Sequence, residues 1–157
     1  MEYAIAQINI GKMLAPIDSP VMAGFVANLD HINALAENSK GFIWRLKDEN
    51  NNATSIKIYD DDMLIINMSV WQNVEALFEF AYQSMHVEIL KRRKEWFEKM
   101  AESYLALWYV PAMHLPTVEE AIDRLNYLRA HGETPFVFTF KRKFSSEEAG
   151  NYVPLRQ

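Results

Sequence analysis

The 157-residue chain predicts an α+β fold, a ferredoxin-like βαββαβ order with an added C-terminal α-β pair. Three patterns predict it. Five short apolar runs read as strands, the first of them alternating between two distinct faces. Between them, apolar residues recur at i, i+3 and i+4 behind capping residues, the mark of helices. Several of the strands are apolar on both faces, so the sheet needs cover on both sides.

The elements follow in order. Tyr3 to Ile10 alternates, with Ala4, Ala6, Ile8 and Ile10 on one face and Tyr3, Ile5, Gln7 and Asn9 on the other. The chain breaks at Pro16, and Asp18 or Ser19 caps a helix with Pro20 in its first turn. Its buried stripe is Met22, Phe25, Val26, Leu29, Ile32 and Ala36, it ends near Asn38, and His31 falls off the stripe. Gly41 leads into a strand from Phe42 to Leu46. The polar run from Lys47 to Asp62 reads as a long hairpin connection with a short strand at Ser55 to Tyr59, and Met63 to Trp71 is the next strand. Asn73 caps a helix through Ala81, which continues or bends near Gln83 into Ser84 to Phe97. Tyr104 to Val110 is the fourth strand. Thr117 and Glu120 form a capping box opening a helix through Arg129 that stops at Gly132, and Phe136 to Phe140 is the last strand. These elements make one domain over residues 1–144, followed by a polar tail over 145–157.

The stretch Ser84 to Phe97, SMHVEILKRRKEWF, carries the densest chemistry. At about 100° per residue, His86, Leu90, Arg93 and Phe97 share a face flanked by Ile89 and Trp96. Glu88, Lys91, Lys94, Glu95, Glu98 and Lys99 take the solvent side. His86 and Arg93 thus need polar partners, because an unpaired buried charge is costly. Neutral imidazole at His86 can act as a base near neutral pH or ligate iron, and a backbone carbonyl or Asn9 would equally satisfy it. Arg93 suits bidentate binding of a carboxylate or propionate, and an internal ion pair to Glu79, Asp60 or Glu88 would serve as well.

Composition excludes several classes. A net charge of −5 argues against a nucleic-acid partner, and the basic run KRRK at 91–94 is offset by Glu88, Glu95 and Glu98. With no cysteine there is no disulfide or thiolate site, which fits a reducing cytoplasm. The first ten residues lack the basic and long apolar regions of a signal peptide, and no run reaches the ~20 apolar residues of a membrane span. A soluble cytoplasmic protein is expected. The five glycines are too scattered for a phosphate-binding loop, and Asp60 to Asp62 lack the spaced ligands of a calcium loop.

With 13% aromatic residues, the chain has enough rings to wall a flat pocket for an apolar or aromatic small molecule. The candidates are Trp44, Trp71, Trp96 and Trp108 with Tyr109 and Phe138, all of which also suit a plain core. Gln7 and Asn9 share a strand face and could line the same pocket or a subunit seam. Arg45 alternates with Trp44 and should point the other way, towards a rim or an interface. The second cover that the two-sided strands demand is most economically an identical subunit, so a homodimer is expected.

The segments PIDSPVMAGFVANLDHINALAENSKGFIWRL, SVWQNVEALFEFAYQSMH, RRKEWF and LWYVPAMHLPTVEEAIDRL resemble a bacterial family known only as a domain of unknown function, within the dimeric α/β-barrel superfamily. The likeness covers nearly the whole chain. It implies a ferredoxin-like subunit whose sheet pairs with a partner's as a dimeric barrel, and it implies no established activity. That superfamily includes cofactor-independent monooxygenases, haem-degrading monooxygenases, other haem-dependent oxidative enzymes and proteins of no known reaction, so the fold alone does not choose. Comparison with the haem-degrading members implies catalytic roles for Asn9, Trp71 and His86, with His86 as the metal ligand where haem is the cofactor. The fifteen-residue gap from Trp71 to His86 is longer than that pattern expects. The expectations are therefore a monooxygenase-like reaction on an aromatic or haem-like ligand, or a ligand-binding or structural dimer without catalysis.

Overall fold

The computed structural model describes residues 2–47, 58–59, 61–83 and 91–155. Strand β1 is Tyr3–Lys12, helix α1 is Ala23–Glu37 and strand β2 is Phe42–Arg45. Strand β3 is Leu64–Trp71, helix α2 is Val74–Gln83 and strand β4 is Leu105–Pro111. Helix α3 is Val118–His131 and helix α4 is Ser146–Asn151. The sheet runs β2-β3-β1-β4 with every neighbouring pair antiparallel, which is the ferredoxin-like order the sequence predicts.

Because side chains alternate across a strand, the central strands divide the interior in two. The even positions Ala6, Ile8, Met68, Val70, Ala106 and Trp108 meet Ala121, Leu125, Tyr127 and Leu128 of α3. The odd positions Ile5, Trp71 and Leu107 pack with Ala36, Val74, Leu77, Phe138 and Phe144. The sequence assigns the second cover to another copy of the chain, whereas α3 supplies it from within. Thr117 fixes where that helix begins by accepting a hydrogen bond from the Glu120 amide, and Gly132 ends it at φ 74°. Trp108 is fully buried beneath it and donates its indole N–H to Glu120 Oε2 at 2.9 Å.

Helix α1 sits differently. Only Asn33 and Ala36 are buried along it, Leu29 and Ile32 are half-buried, and Val26, assigned to the stripe, is 42% exposed. The helix stands off the sheet, and the gap becomes the site described below.

Two predicted elements take another form. The helix expected to reach Phe97 is instead a 3-10 turn over Arg93–Glu95, after which Phe97 bridges to Met13. The backbone turns because Glu98 donates to the Lys12 carbonyl at 2.8 Å and Leu14 donates to the Trp96 carbonyl at 2.9 Å, extending the edge of β1. The assigned faces survive the change: Trp96 and Phe97 are buried, while Lys94, Glu95, Glu98 and Lys99 are exposed. Gly11 makes this possible, since a Cβ there would stand 2.8 Å from the Phe97 ring. The strand expected at Phe136 to Phe140 is a single bridge, with Phe138 and Leu107 exchanging hydrogen bonds of 2.8 and 2.9 Å. Thr134 and Val137 close a tight turn before it, and Glu133 Oε1 holds the Thr139 amide at 2.8 Å after it, so pairing cannot propagate. The expected strand at Ser55 to Tyr59 falls mostly outside the described residues, where Ile58 bridges Asp61.

The polar tail begins with α4, held by a capping box between Ser145 and Glu148, and Tyr152 shares a 2.7 Å hydrogen bond with Tyr127. No helix among the described residues is long and apolar enough to cross a membrane.

Leu125 is the fully buried anchor of α3 on the sheet. Leu125→Ala is expected to lower unfolding free energy by about 2–5 kcal/mol in a denaturant titration. A change under about 1 kcal/mol would mean that α3 is not the cover of that face.

Candidate functional site

Between the odd face of the sheet, the inner sides of α1 and α2, and the Arg93–Phe97 turn lies a cavity of about 210 Å³. Its floor is a two-by-two polar patch in the middle of the sheet. Antiparallel register places Gln7 opposite Ser69 and Asn9 opposite Asn67. Gln7 Nε2 donates to Asn67 Oδ1 at 2.7 Å and to Ser69 Oγ at 2.8 Å, and Trp71 Nε1 donates to the same Ser69 oxygen at 2.8 Å. These bonds orient the patch. Asn67 is exposed although its strand is central, so the cavity opens to solvent above it.

Apolar side chains make the ends and walls. Trp71 stacks on Phe80 with ring centroids 5.2 Å apart, and Phe42 meets Trp71 edge-on at 5.4 Å. At the other end Phe25 packs against Phe97 at 5.1 Å and Trp96 at 5.8 Å. Leu29, Ile32, Ile65, Leu77 and Phe140 complete the lining. Such a box suits a flat apolar molecule with a few hydrogen-bonding groups.

Polar burial concentrates here. Among the described residues the buried polar side chains are Gln7 (5% exposed), Asn33 (9%), Arg45 (6%) and Ser69 (7%), and all four line this cavity. Arg45 is tied to Glu37 at 2.9 Å. Asn33, nine-tenths buried, makes no side-chain hydrogen bond among the described residues, and neither does the half-buried Asn9 beside it on the floor. Arg93 is half-buried, with Nη2 reaching the Ile10 carbonyl at 3.3 Å and the guanidinium 5.1 Å from the Phe97 ring centre and 4.8 Å from that of Tyr104. Burial pushes its pKa down from the ordinary arginine value, and the Tyr104 hydroxyl acts weakly in the opposite direction.

The structure brings together Gln7, Asn9, Trp71, Arg93 and Trp96 from the sequence candidates. His86 lies outside the described residues. Four expected wall residues lie elsewhere, among them Phe138, which is packed in the core with Leu107. A bulge between Phe42 and Trp44 puts Trp44 against the α3 side, leaving Arg45 to face the cavity instead of a rim. Trp108 occupies an even position of β4 and is buried under α3. Tyr109 is on the cavity side of the sheet but beyond the site, where its hydroxyl donates to the Phe144 carbonyl at 2.7 Å. The internal ion pair considered for Arg93 does not form with Glu79, and Asp60 and Glu88 lie outside the described residues.

Asn33, Asn67, Ser69 and Phe25 belong to the site and went unassigned from sequence. Asn33 had a readable signal, a lone amide on the apolar stripe between Leu29 and Ala36. Asn67 and Ser69 had none, because the register that sets them beside Asn9 and Gln7 is not legible in one sequence.

The described residues of this cavity do not support haem. Its volume of about 210 Å³ falls below the roughly 300–1,000 Å³ usual for drug-sized ligands, let alone a tetrapyrrole. The described lining holds no histidine, cysteine or methionine, its one tyrosine being Tyr82 on α2, and no cluster of three metal-binding side chains occurs among the described residues.

The model of a family described as a domain of unknown function, DUF3291, matches residues 4–153, so the chain belongs to that family. No curated protein matches the chain. Among solved structures, SnoaB, a cofactor-independent oxygenase from Streptomyces nogalater, is similar at 15% identity over 74% of this chain and 100% of its own, with a TM-score of 0.49. PA3566 from Pseudomonas aeruginosa is similar at 13% identity over 73% of this chain and 98% of its own, with a TM-score of 0.47. Rv0793 from Mycobacterium tuberculosis is similar at 12% identity over 73% and 99%, with a TM-score of 0.46.

Proposed function

We propose that this family member is a small-molecule-binding protein whose site is the cavity between the sheet and helices α1 and α2, and whose ligand is flat, largely apolar and hydrogen-bonding. One observation carries the reading. The buried polar side chains among the described residues converge on this cavity, and the amides of Asn9 and Asn33 have no partner there among the described residues. These amide atoms keep contact with the solvent of the open cavity, so they are free to hydrogen-bond a ligand, each such bond contributing about 0.5–1.5 kcal/mol.

Oxygenation of an electron-rich aromatic ring is the finer proposal. In it Asn9 holds a ring oxygen, Trp71 walls the ring and His86 takes a proton. Dioxygen is the oxidant and the ring is the reductant: a hydroxylated ring gives up its O–H hydrogen and one C–H hydrogen, one oxygen atom becomes the new carbonyl of a quinone and the other leaves as water. Binding without catalysis is the second reading, because the described lining residues include no imidazole and no carboxylate.

Asn33→Leu separates a ligand-holding amide from a structural one. Leucine suits a helix better than asparagine, so the variant should gain about 0.5 kcal/mol in denaturant unfolding. It should also bind 1-naphthol, followed by tryptophan fluorescence, about tenfold more weakly than wild type. Loss of stability with unchanged binding would assign Asn33 to the scaffold. Oxygen uptake with 1-naphthol that vanishes in His86→Ala would support the oxygenase, and saturable binding without uptake would leave a binding protein.

The resemblance implies a homodimer whose sheets pair; since α3 covers one face of the sheet, we propose a homodimer with its contact elsewhere on the surface. Light scattering at micromolar concentration should give twice the chain mass, and a single-chain mass rejects the dimer.

A further inference from the structure

We infer that the ligand carries a single negative charge, a carboxylate or its equivalent, held by Arg93 at the end of the cavity formed by Gly11, Phe25 and Phe97. The inference rests on the cavity being a ligand site, and it adds the chemical class of the occupant.

The first observation is the charge inventory of the lining. Among its described residues there are two guanidiniums and no carboxylate or lysine, in a chain whose net charge is −5. An acidic protein that keeps acids out of one cavity gives that cavity a local positive potential. Of the two cations, Arg45 is already bonded to Glu37.

Arg93 is the second observation. A guanidinium carries five N–H donors in a rigid fork suited to a carboxylate. Here its hydrogen bond to protein is one 3.3 Å contact to the Ile10 carbonyl, and no carboxylate among the described residues lies within ion-pair distance of it. Its neighbour shows the contrast. Arg92 is exposed and pairs with Glu95 at 3.0 Å, lying over the Trp96 ring at 4.6 Å. The chain therefore solvates and pairs one arginine and turns the next, unpaired by any described acid, towards the cavity. A half-buried cation between two ring faces gains most from an anion that enters with its own apolar body.

Position along the cavity sets the ligand's reach. Phe25, which touches Phe97 beside Arg93, and Asn33, with its amide, are eight residues apart on α1, or about 12 Å at the helical rise. A molecule of about two fused rings, charged at one end and hydrogen-bonding at the other, spans that distance between the Phe25 and Trp71 ends.

The test uses two probes of the same shape, 2-naphthoate and neutral 2-naphthylmethanol, titrated against wild type, Arg93→Gln, Arg93→Lys and the control Arg92→Gln by tryptophan fluorescence. Wild type and Arg92→Gln should bind the carboxylate at least tenfold more tightly than the alcohol. Arg93→Gln should lose most of that ratio, and Arg93→Lys should keep part of it. Far-UV circular dichroism and melting confirm that each variant is folded, and the wild-type ratio alone decides the matter should Arg93→Gln not fold. Equal binding of both probes to wild type, or an unchanged ratio in folded Arg93→Gln, overturns the anion while leaving the ligand site standing. Failure of both probes to saturate overturns the site and the inference together.

Discussion

At 2.8 Å, the hydrogen bond from the Gln7 amide to the Ser69 hydroxyl crosses the two central strands on the face that helices α1 and α2 cover. A sheet face buried under helices is expected to be apolar, and polar groups placed there must find partners or leave room for them. This face does both. Gln7, Asn67, Ser69 and the Trp71 indole satisfy one another within the sheet. Asn9 and Asn33 have no such partner among the described residues, and the helix above them stands away from the strands. The polar patch thus prevents a close-packed layer, and the cavity is the physical result.

The opposite face shows what the same sheet does without that constraint. Its side chains are alanine, isoleucine, methionine, valine and Trp108, and α3 closes directly on them. Even its one polar handle is satisfied, by Glu120. One face is consequently a scaffold and the other a site, and the division follows the alternation of the strands residue by residue. Substitutions on the α3 side act through stability, whereas substitutions at Asn9, Asn33 or Arg93 act through what the cavity can hold.

Much of this was legible in the sequence, for physical reasons that differ by element. Strand β1 was readable because period-two alternation survives in it, β3 and β4 as short apolar runs, and α3 because Thr117, Glu120 and Gly132 mark its ends. The Arg93–Phe97 turn was not, since a helix and a 3-10 turn followed by a bridge bury Trp96 and Phe97 alike. The Trp44 side was misread because a bulge inverts alternation without leaving a mark. Of the site, Gln7, Asn9, Trp71, Arg93 and Trp96 could be picked out as polar or aromatic residues on inward faces. The convergence of Asn67 and Ser69 on them needed the strand register, and the role of Asn33 needed the gap beneath α1.

The most direct measurement of the central claim is a heteronuclear NMR titration that follows side-chain N–H signals as 2-naphthoate is added. The amides of Asn9 and Asn33 and the indoles of Trp71 and Trp96 line the cavity, while the indole of Trp108 is bonded to Glu120 on the far side of the sheet. The four cavity signals should shift together along one saturable curve while the Trp108 indole stays in place. Shifts at Trp108 with none at Asn9 and Asn33 would contradict the account and place the ligand on the wrong face of the sheet.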